Sequence, residues 1–310
     1  MVAFRTESDD DVIEVAGLTR RFGPKAALAD VRLAVPRGGV FGLVGVNGAG
    51  KTTLIKHVLG LLRAQEGTVR VFGTDPAADP AAVLGRVGYL SEEPDLPGWM
   101  RVGELMRYTR AFYPNWDPAF AEELRSSFAL DPAAKVKHLS KGQRARAGLV
   151  IALAHRPELL ILDEPSSGLD PIVRRDILGA VIRTVADEGR TVLFSSHLLH
   201  EVERVADRVA LIDRGRVVFS GGLDQIKGTH HRLTLRFPAP RPTPPPLEGA
   251  LAWEGFGAEW AAVCSGPLDE LRDAAAAAGA EVVGQRVPSL DEIFVARVGP
   301  KPAELAEAHS

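Results

Sequence analysis

The chain has 310 residues, 45% of them hydrophobic, enough for a substantial core in two domains or in one large domain with an appendage. Its 37 basic and 40 acidic side chains leave a formal net charge of −3, so no global basic footprint points to nucleic acid. The single cysteine, Cys264, excludes an internal disulfide, fits a reducing compartment and reads as a small buried apolar side chain.

Residues 1–11 are acidic and polar, without the apolar stretch that a secretory signal needs. Short strands are expected at 12–15, 31–35 and 68–72, separated by Gly, Pro and charged turns. The apolar run 40–44 ends at a glycine-rich loop, and a helix is expected over 52–62. Residues 92–154 are mostly helical in pattern and read as an inserted helical subdomain. The continuous apolar or β-branched runs 159–162 and 191–195 have the texture of parallel strands covered on both faces. Between them, Asp170 can cap a helix that has Pro171 at its first position and Gly189 just past its end. Ile177, Val181 and Val185 recur on one face of that helix. Runs 209–212 and 217–220 flank Arg214-Gly215 as a closing hairpin. No run of roughly 18 apolar residues occurs, so no membrane-spanning helix is expected.

After Gly222 the texture changes. Prolines crowd residues 236–246, a stiff segment expected not to join a central strand, and 223–249 is expected to be a proline-rich linker region. Beyond it, a small α+β appendage is expected over 250–300, with strands at 250–253, 260–265 and 281–287 and helices at 268–278 and 290–298. A candidate strand at 231–237 would add to it, and His230 and His231 read as loop residues.

Three motifs carry chemistry. The first is Gly45-Val46-Asn47-Gly48-Ala49-Gly50-Lys51-Thr52, a P-loop between a strand and a helix. Such a turn aims backbone N–H groups and a helix N-terminus at a phosphate. Gly45, Gly48 and Gly50 permit the tight approach, Lys51 reaches the β- and γ-phosphates, and Thr52, followed by Thr53, offers a hydroxyl to Mg²⁺. The second is the acidic end of the 159–162 run. A carboxylate there, Asp163, is costly unless it serves an ion or a hydrogen-bond network, and Glu164 follows it as a candidate general base or orienter of water. A plain strand-end cap is the alternative for both. Just past the 191–195 run, at the carboxyl edge where ligands bind in such sheets, comes His197. With His200 and Glu201 it has a spacing that could hold a metal, although those two read more simply as solvated surface.

The third motif is Leu139-Ser140-Lys141-Gly142-Gln143, placed between the other two, with Ser140 able to cap a helix. With these three motifs in this order, the chain resembles the ATP-binding subunit of an ABC transporter over about residues 12–222. The resemblance implies an α/β P-loop NTPase (RecA-like) core with an antiparallel β-subdomain and the inserted helical subdomain, followed by the appendage. It implies ATP and Mg²⁺, with Asn47 and Ala49 completing the phosphate loop and Asp163 holding magnesium through water. Glu164 and His197 then act on the hydrolytic water. It assigns Phe22 to stacking on adenine, where a core role is the alternative. It gives Ser140, Gly142 and Gln143 to the nucleotide of a second subunit and places Ser167-Gly168-Leu169-Asp170 across the interface between the two. The expected partners are that second subunit, identical or related, and a separate integral membrane permease; the expected location is the cytoplasmic face of the membrane.

Two positions depart from the family pattern. Lys141 stands where a glycine is more familiar, with a side chain that could point outward. Glu92 stands where a glutamine usually reaches Mg²⁺ and links the site to the permease, and glutamate can also ligate magnesium. The aromatic and methionine concentration at Trp99, Met100, Leu105, Met106, Tyr108, Phe112, Tyr113 and Trp116 is either a permease-docking surface or ordinary core. Rival readings are a soluble ATPase of the same type acting on ribosomes or DNA, and a non-catalytic ATP-sensing module. The exporter type is favoured by the short C-terminal appendage, by analogy alone.

Overall fold

The computed structural model describes residues 10–299, with the side chains of 184–188 outside the description. The chain divides into two compact units, one ending at Ser220 and one starting at Gly221.

The first unit opens with a long hairpin, β1 (Asp11–Phe22) and β2 (Lys25–Pro36), turning at Gly23 with φ +58°. Then follow β3 (Gly39–Val44), α1 (Lys51–Val58), β4 (Glu66–Val71), α2 (Pro80–Leu84) and β5 (Val87–Leu90). The inserted segment supplies α3 (Val102–Arg110), α4 (Pro118–Ser127), a 3-10 turn at Val136–His138 and α5 (Lys141–Leu153). The chain returns as β6 (Leu159–Asp163), α6 (Pro171–Glu188), β7 (Thr191–Ser196), α7 (Leu199–Val205), β8 (Arg208–Asp213) and β9 (Arg216–Gly222).

Two sheets result. One is antiparallel, in the order β2-β1-β4; the other has six strands in the order β5-β6-β7-β3-β8-β9. Neighbours from β5 to β8 in the second sheet run parallel. All five residues of β6 and all six of β7 are buried, which is why their sequences are apolar or β-branched up to their polar ends at Asp163 and Ser195-Ser196. A shared core including Phe41, Leu43, Leu54, Leu159 and Ile161 lies between the sheets and α1. Register fixes what comes next: Val44 pairs with Ser196 and Asp163 with Ser195. The loops leaving β3, β6 and β7 therefore meet at one carboxyl edge, where such sheets bind ligands.

α1 stops at Val58, four residues before the expected end. Gly60 takes φ +70°, and the N–H groups of Leu61 and Leu62 both turn back to the Lys56 carbonyl. The aromatic concentration divides: Met100 and Trp116 are buried and Met106 packs on Trp116, whereas Trp99, Tyr108 and Phe112 are exposed.

The second unit contains α8 (Leu223–Gly228), β10 (His230–Arg241), β11 (Ala250–Ser265), α9 (Leu268–Ala277), β12 (Glu281–Arg286) and α10 (Leu290–Val298). Its sheet order is β11-β10-β12, so the span expected as a linker holds a helix and a central strand. The proline rule survives locally, because the continuous β10 ladder to both neighbours ends at Arg236, before Pro238. β11 doubles back at Phe256-Gly257: Ser265 N donates to Gly249 O at 2.8 Å, and Gly255 lies against Glu259. Its two arms are the two strands expected at 250–253 and 260–265. His230 and His231 belong to β10 and not to a loop; His230 is buried with Nδ1 2.7 Å from Ile226 O. Burial pushes the Cys264 thiol up to about 11, consistent with an inert core side chain.

Candidate functional site

The phosphate loop joins β3 to α1. Ala49 N donates to Val46 O at 3.1 Å, closing the turn, and Gly48 and Gly50 have φ +79° and +116°. A Cβ at Gly45 would run into the Ile212 carbonyl, whereas one at Gly48 would meet open space. Gly45 is thus demanded by packing, Gly50 by packing and backbone, and Gly48 by backbone alone. Asn47 and Gly48 are exposed at the tip, Ala49 is buried beneath, and Thr53 is half-buried one turn into the fold.

Lys51 is buried, and its Nζ donates to the carbonyls of Gly45 (2.6 Å) and Val46 (3.2 Å). It also pairs with Glu164 Oε1 at 2.9 Å. The other carboxylate oxygen, Oε2, accepts from His197 N at 3.2 Å and lies 2.7 Å from His197 Nδ1. Glu164 itself has φ +50°, a left-handed conformation rare outside glycine that turns its side chain back over the sheet edge.

Asp163 is held by a parallel set of bonds. Ser195 Oγ donates to Asp163 Oδ1 at 2.8 Å while accepting from Glu164 N at 3.0 Å, and the Thr52 side chain also bonds Asp163. Burial pushes the Asp163 carboxyl above its ordinary range, opposed by the bonds from Ser195 and Thr52 and reinforced by the charge of Glu164. Ser195 is the site residue that the sequence reading missed. Its signal was present: a polar pair, Ser195-Ser196, at the end of an otherwise apolar strand. Hydroxyl and carboxylate oxygens at Thr52 and Asp163 form a hard donor set that fits Mg²⁺.

Ser140 is exposed and caps α5: Gln143 N donates to its Oγ at 3.2 Å, and Ser140 N donates to Gln143 Oε1 at 2.9 Å. Gly142 is buried, and a Cβ there would lie 2.7 Å from Val173, so α5 and α6 meet through this glycine. Lys141 does not simply point outward. Its Nζ sits over Gly168, 2.9 Å from where a Cβ would be. Asp170 caps α6 by accepting from the N–H groups of Ile172 and Val173, which holds its carboxyl below the usual range.

Other expected residues stand apart. Phe22 is about half exposed (49%) with the Arg20 guanidinium 4.8 Å from its ring, which excludes the core alternative. Glu92 is exposed, two residues past the end of β5 on the same sheet edge. The metal grouping of His197, His200 and Glu201 is not formed: His200 is exposed, and the Glu201 carboxylate is buried against Ser166 and Arg174, so it is not solvated surface either. Among the described residues no group of three His, Cys, Asp or Glu is placed to hold a metal ion. No helix among them is long and apolar enough to cross a membrane.

A phosphate loop on a parallel sheet, with paired acids at the end of a strand one removed and a helical insertion before them, defines a P-loop nucleoside triphosphatase. The family model described as ABC transporter matches residues 28–167. The chain is 32% identical over 246 residues to the uncharacterized ABC transporter ATP-binding protein YdbJ of Bacillus subtilis, covering 79% of this chain and 78% of that one. It is 36% identical over 235 residues to the daunorubicin/doxorubicin resistance ATP-binding protein DrrA of Streptomyces peucetius, covering 72% and 69%. A solved ATP binding subunit of an ABC transporter superposes with a TM-score of 0.64 at 31% identity, over 70% of this chain and 92% of that one. The chain therefore belongs to the ATP-binding subunits of ABC transporters. It is an ATPase of that family, and these relatives favour transport over the ribosomal, DNA-associated and sensing alternatives.

Proposed function

We propose that two copies of this chain, or this chain and a related one, close around two ATP molecules on the cytoplasmic face of a separate permease and drive export. The observation that carries the reading is the set of contacts at one sheet edge: Lys51 with Glu164, Glu164 with His197, and Asp163 with Thr52 and Ser195. Thr52 and Asp163, with Glu92 exposed on the same edge, would hold magnesium, which would supply charge compensation to the phosphates.

The Lys51–Glu164 pair gives the step a trigger. Both carboxylate oxygens of Glu164 are engaged, Oε1 by Lys51 and Oε2 by His197. A triphosphate that draws Lys51 away frees Oε1 to take a proton from water, while His197 keeps Oε2 aimed. The base is therefore uncovered by the substrate it acts on. Ser140 at the N-terminus of α5 meets the γ-phosphate of the other subunit, and Asp170 and its loop lie between the two. The exposed Trp99, Tyr108 and Phe112 form the surface for a permease helix, and Phe22 stacks on adenine.

Glu164→Gln tests the core of this reading. It is expected to bind ATP with little change in affinity and to lower kcat by roughly 10²- to 10⁴-fold, with closed dimers accumulating. Near-normal hydrolysis removes Glu164 from the role. Glu92→Gln is expected to alter the magnesium dependence of coupled turnover; an unchanged dependence detaches Glu92 from the metal. Purification of the tagged chain in mild detergent should bring a multi-spanning membrane protein with it.

A further inference from the structure

One carboxylate deep in the first unit is used by none of these steps. Glu201, on α7, is only 1% exposed. Its Oε1 pairs with Arg174 Nε at 2.9 Å, in the first turns of α6, and its Oε2 accepts a hydrogen bond from Ser166 Oγ. Ser166, equally buried, lies two residues after Glu164. α7 itself begins two residues after His197, where Leu198 N donates to Ser196 Oγ at 3.0 Å. Glu201 thus ties the loop that leaves β6 to the helix that follows β7.

The surrounding bonds make this tie short. Ser167 N donates to Glu164 O at 3.1 Å, and Leu169 N to Ser166 O at 3.2 Å, so a shift of Ser166 is carried directly to Glu164. On the other side, Glu201 N donates to Leu198 O at 3.0 Å, one residue from His197. Arg174 sits four residues into α6, whose cap is Asp170. Three proposed site residues, Glu164, His197 and Asp170, therefore depend on one buried anion.

Such an anion is a poor way to gain stability. Desolvating a carboxylate and a guanidinium offsets most of their attraction, and apolar side chains of similar volume often serve a fold as well or better. What this arrangement supplies instead is direction, because Oε2 is fixed by the Ser166 hydroxyl on one element and Oε1 is drawn by the Arg174 charge on another.

We propose that Glu201 is a positioning residue for hydrolysis: through Ser166 and Arg174 it sets the separation of Glu164 and His197 and the placement of the Asp170 loop. This rests on the reading of Glu164 and His197 as the groups that handle water. A misplacement of the order of 1 Å at such groups lowers a rate by up to about 10²-fold.

The test uses the full-length chain, with steady-state ATP hydrolysis and thermal melting measured on each variant. Glu201→Gln and Ser166→Ala are each expected to lower kcat roughly ten- to hundredfold while the KM for ATP changes less than about twofold. The double variant should be no slower than the slower single one, because both changes cut the same tie. Glu201→Leu should melt at or above the wild-type temperature and still be slow. Arg174→Lys, which keeps the charge, should retain more of kcat than Arg174→Met. Wild-type kcat in both Glu201→Gln and Ser166→Ala overturns the proposal, as does additivity of the two losses, or a loss of kcat that only tracks a lowered melting temperature. Glu164→Gln run alongside separates the two levels: if it hydrolyses ATP normally, the underlying reading fails, whereas an inactive Glu164→Gln beside normal Glu201 variants sinks the positioning role alone.

Discussion

Asp163 shows what the site costs the fold. Its side chain is buried at the end of β6, and burial raises its pKa above the ordinary carboxylate range despite bonds from Ser195 and Thr52. Tyr89 on the adjacent strand feels the same environment: burial, helped by the Asp163 charge, pushes its hydroxyl up to about 12. A carboxyl whose folded pKa is raised holds its proton more tightly in the fold than in the unfolded chain. Stability from this group is therefore greatest in acid and falls as pH rises between the ordinary and the raised value. At pH 7 the ionised Asp163 is a net expense. Asp163→Asn, which can still accept from Ser195 and Thr52, is expected to raise the stability of the nucleotide-free protein at pH 7 by about 1 kcal/mol. That advantage should shrink below pH 4, and Mg²⁺-dependent hydrolysis should be lost at every pH. Thermal melts at the two pH values check it; a variant less stable than the parent at pH 7 contradicts the argument. This is the stability–activity conflict expected where a charge is kept for chemistry.

Between elements, α5 and α6 pack closely near the site. Gly142 is packed against Val173, and Arg146 pairs with Asp176 at 2.7 Å one turn further along. Gly142→Ala adds a methyl 2.7 Å from a β-branched side chain held between helices. Overpacking of this kind costs about 1–3 kcal/mol, and here it pushes the Ser140 cap away from the Asp170 loop. The expected result is a weakened response to ATP with a modest fall in melting temperature, read by hydrolysis against ATP concentration. The elements themselves were legible to different degrees. β6 and β7 are buried on both faces, so their apolar runs announced them. Local signals placed the Asp170 and Ser140 caps, because a cap is a property of three or four consecutive residues. Two things depended on distant partners and could not be read. Gly60 ends α1 against the Pro76 carbonyl, a neighbour known only from the fold. Ser195 and Glu201 gain their roles from loops some 30 residues away, and a solvated serine or glutamate looks the same in sequence. In the appendage the strand expected at 231–237 is present, but the crowded prolines hid that it runs on to Arg241.

Over the whole molecule, the two units have separate cores, one around Leu43, Leu54 and Leu159 and one around Leu233, Phe237 and Trp260. They should therefore respond differently to ligand and to acid. The proposed ATP site lies in the first, and a ligand at a hundred times its Kd adds about 2.7 kcal/mol to the unit that holds it. The second depends on Glu292, which completes the capping box of α10 and bridges Arg286 and Arg232. Hydrogen bonds from Arg286, then the Ser289 N–H and the charges of Arg286 and Arg232, pull its carboxyl from 4.5 down to about 2 against the opposing effect of burial. A carboxyl depressed in this way contributes stability that is fully present above its unfolded pKa and is lost as pH falls through the folded value. Titrating the chain from pH 5 to about pH 2 should thus loosen the second unit, as seen in the fluorescence of a variant that retains Trp260 as its sole tryptophan. Glu292→Gln should start less stable at pH 5 and lose most of that pH dependence. Saturating ATP should leave the Trp260 signal where it was, while raising the transition seen in a companion variant that retains Trp116 as its sole tryptophan. A Trp260 transition that ignores both acid and the Glu292→Gln change would show that the appendage is held by its apolar core alone, with the capping box contributing nothing that titrates.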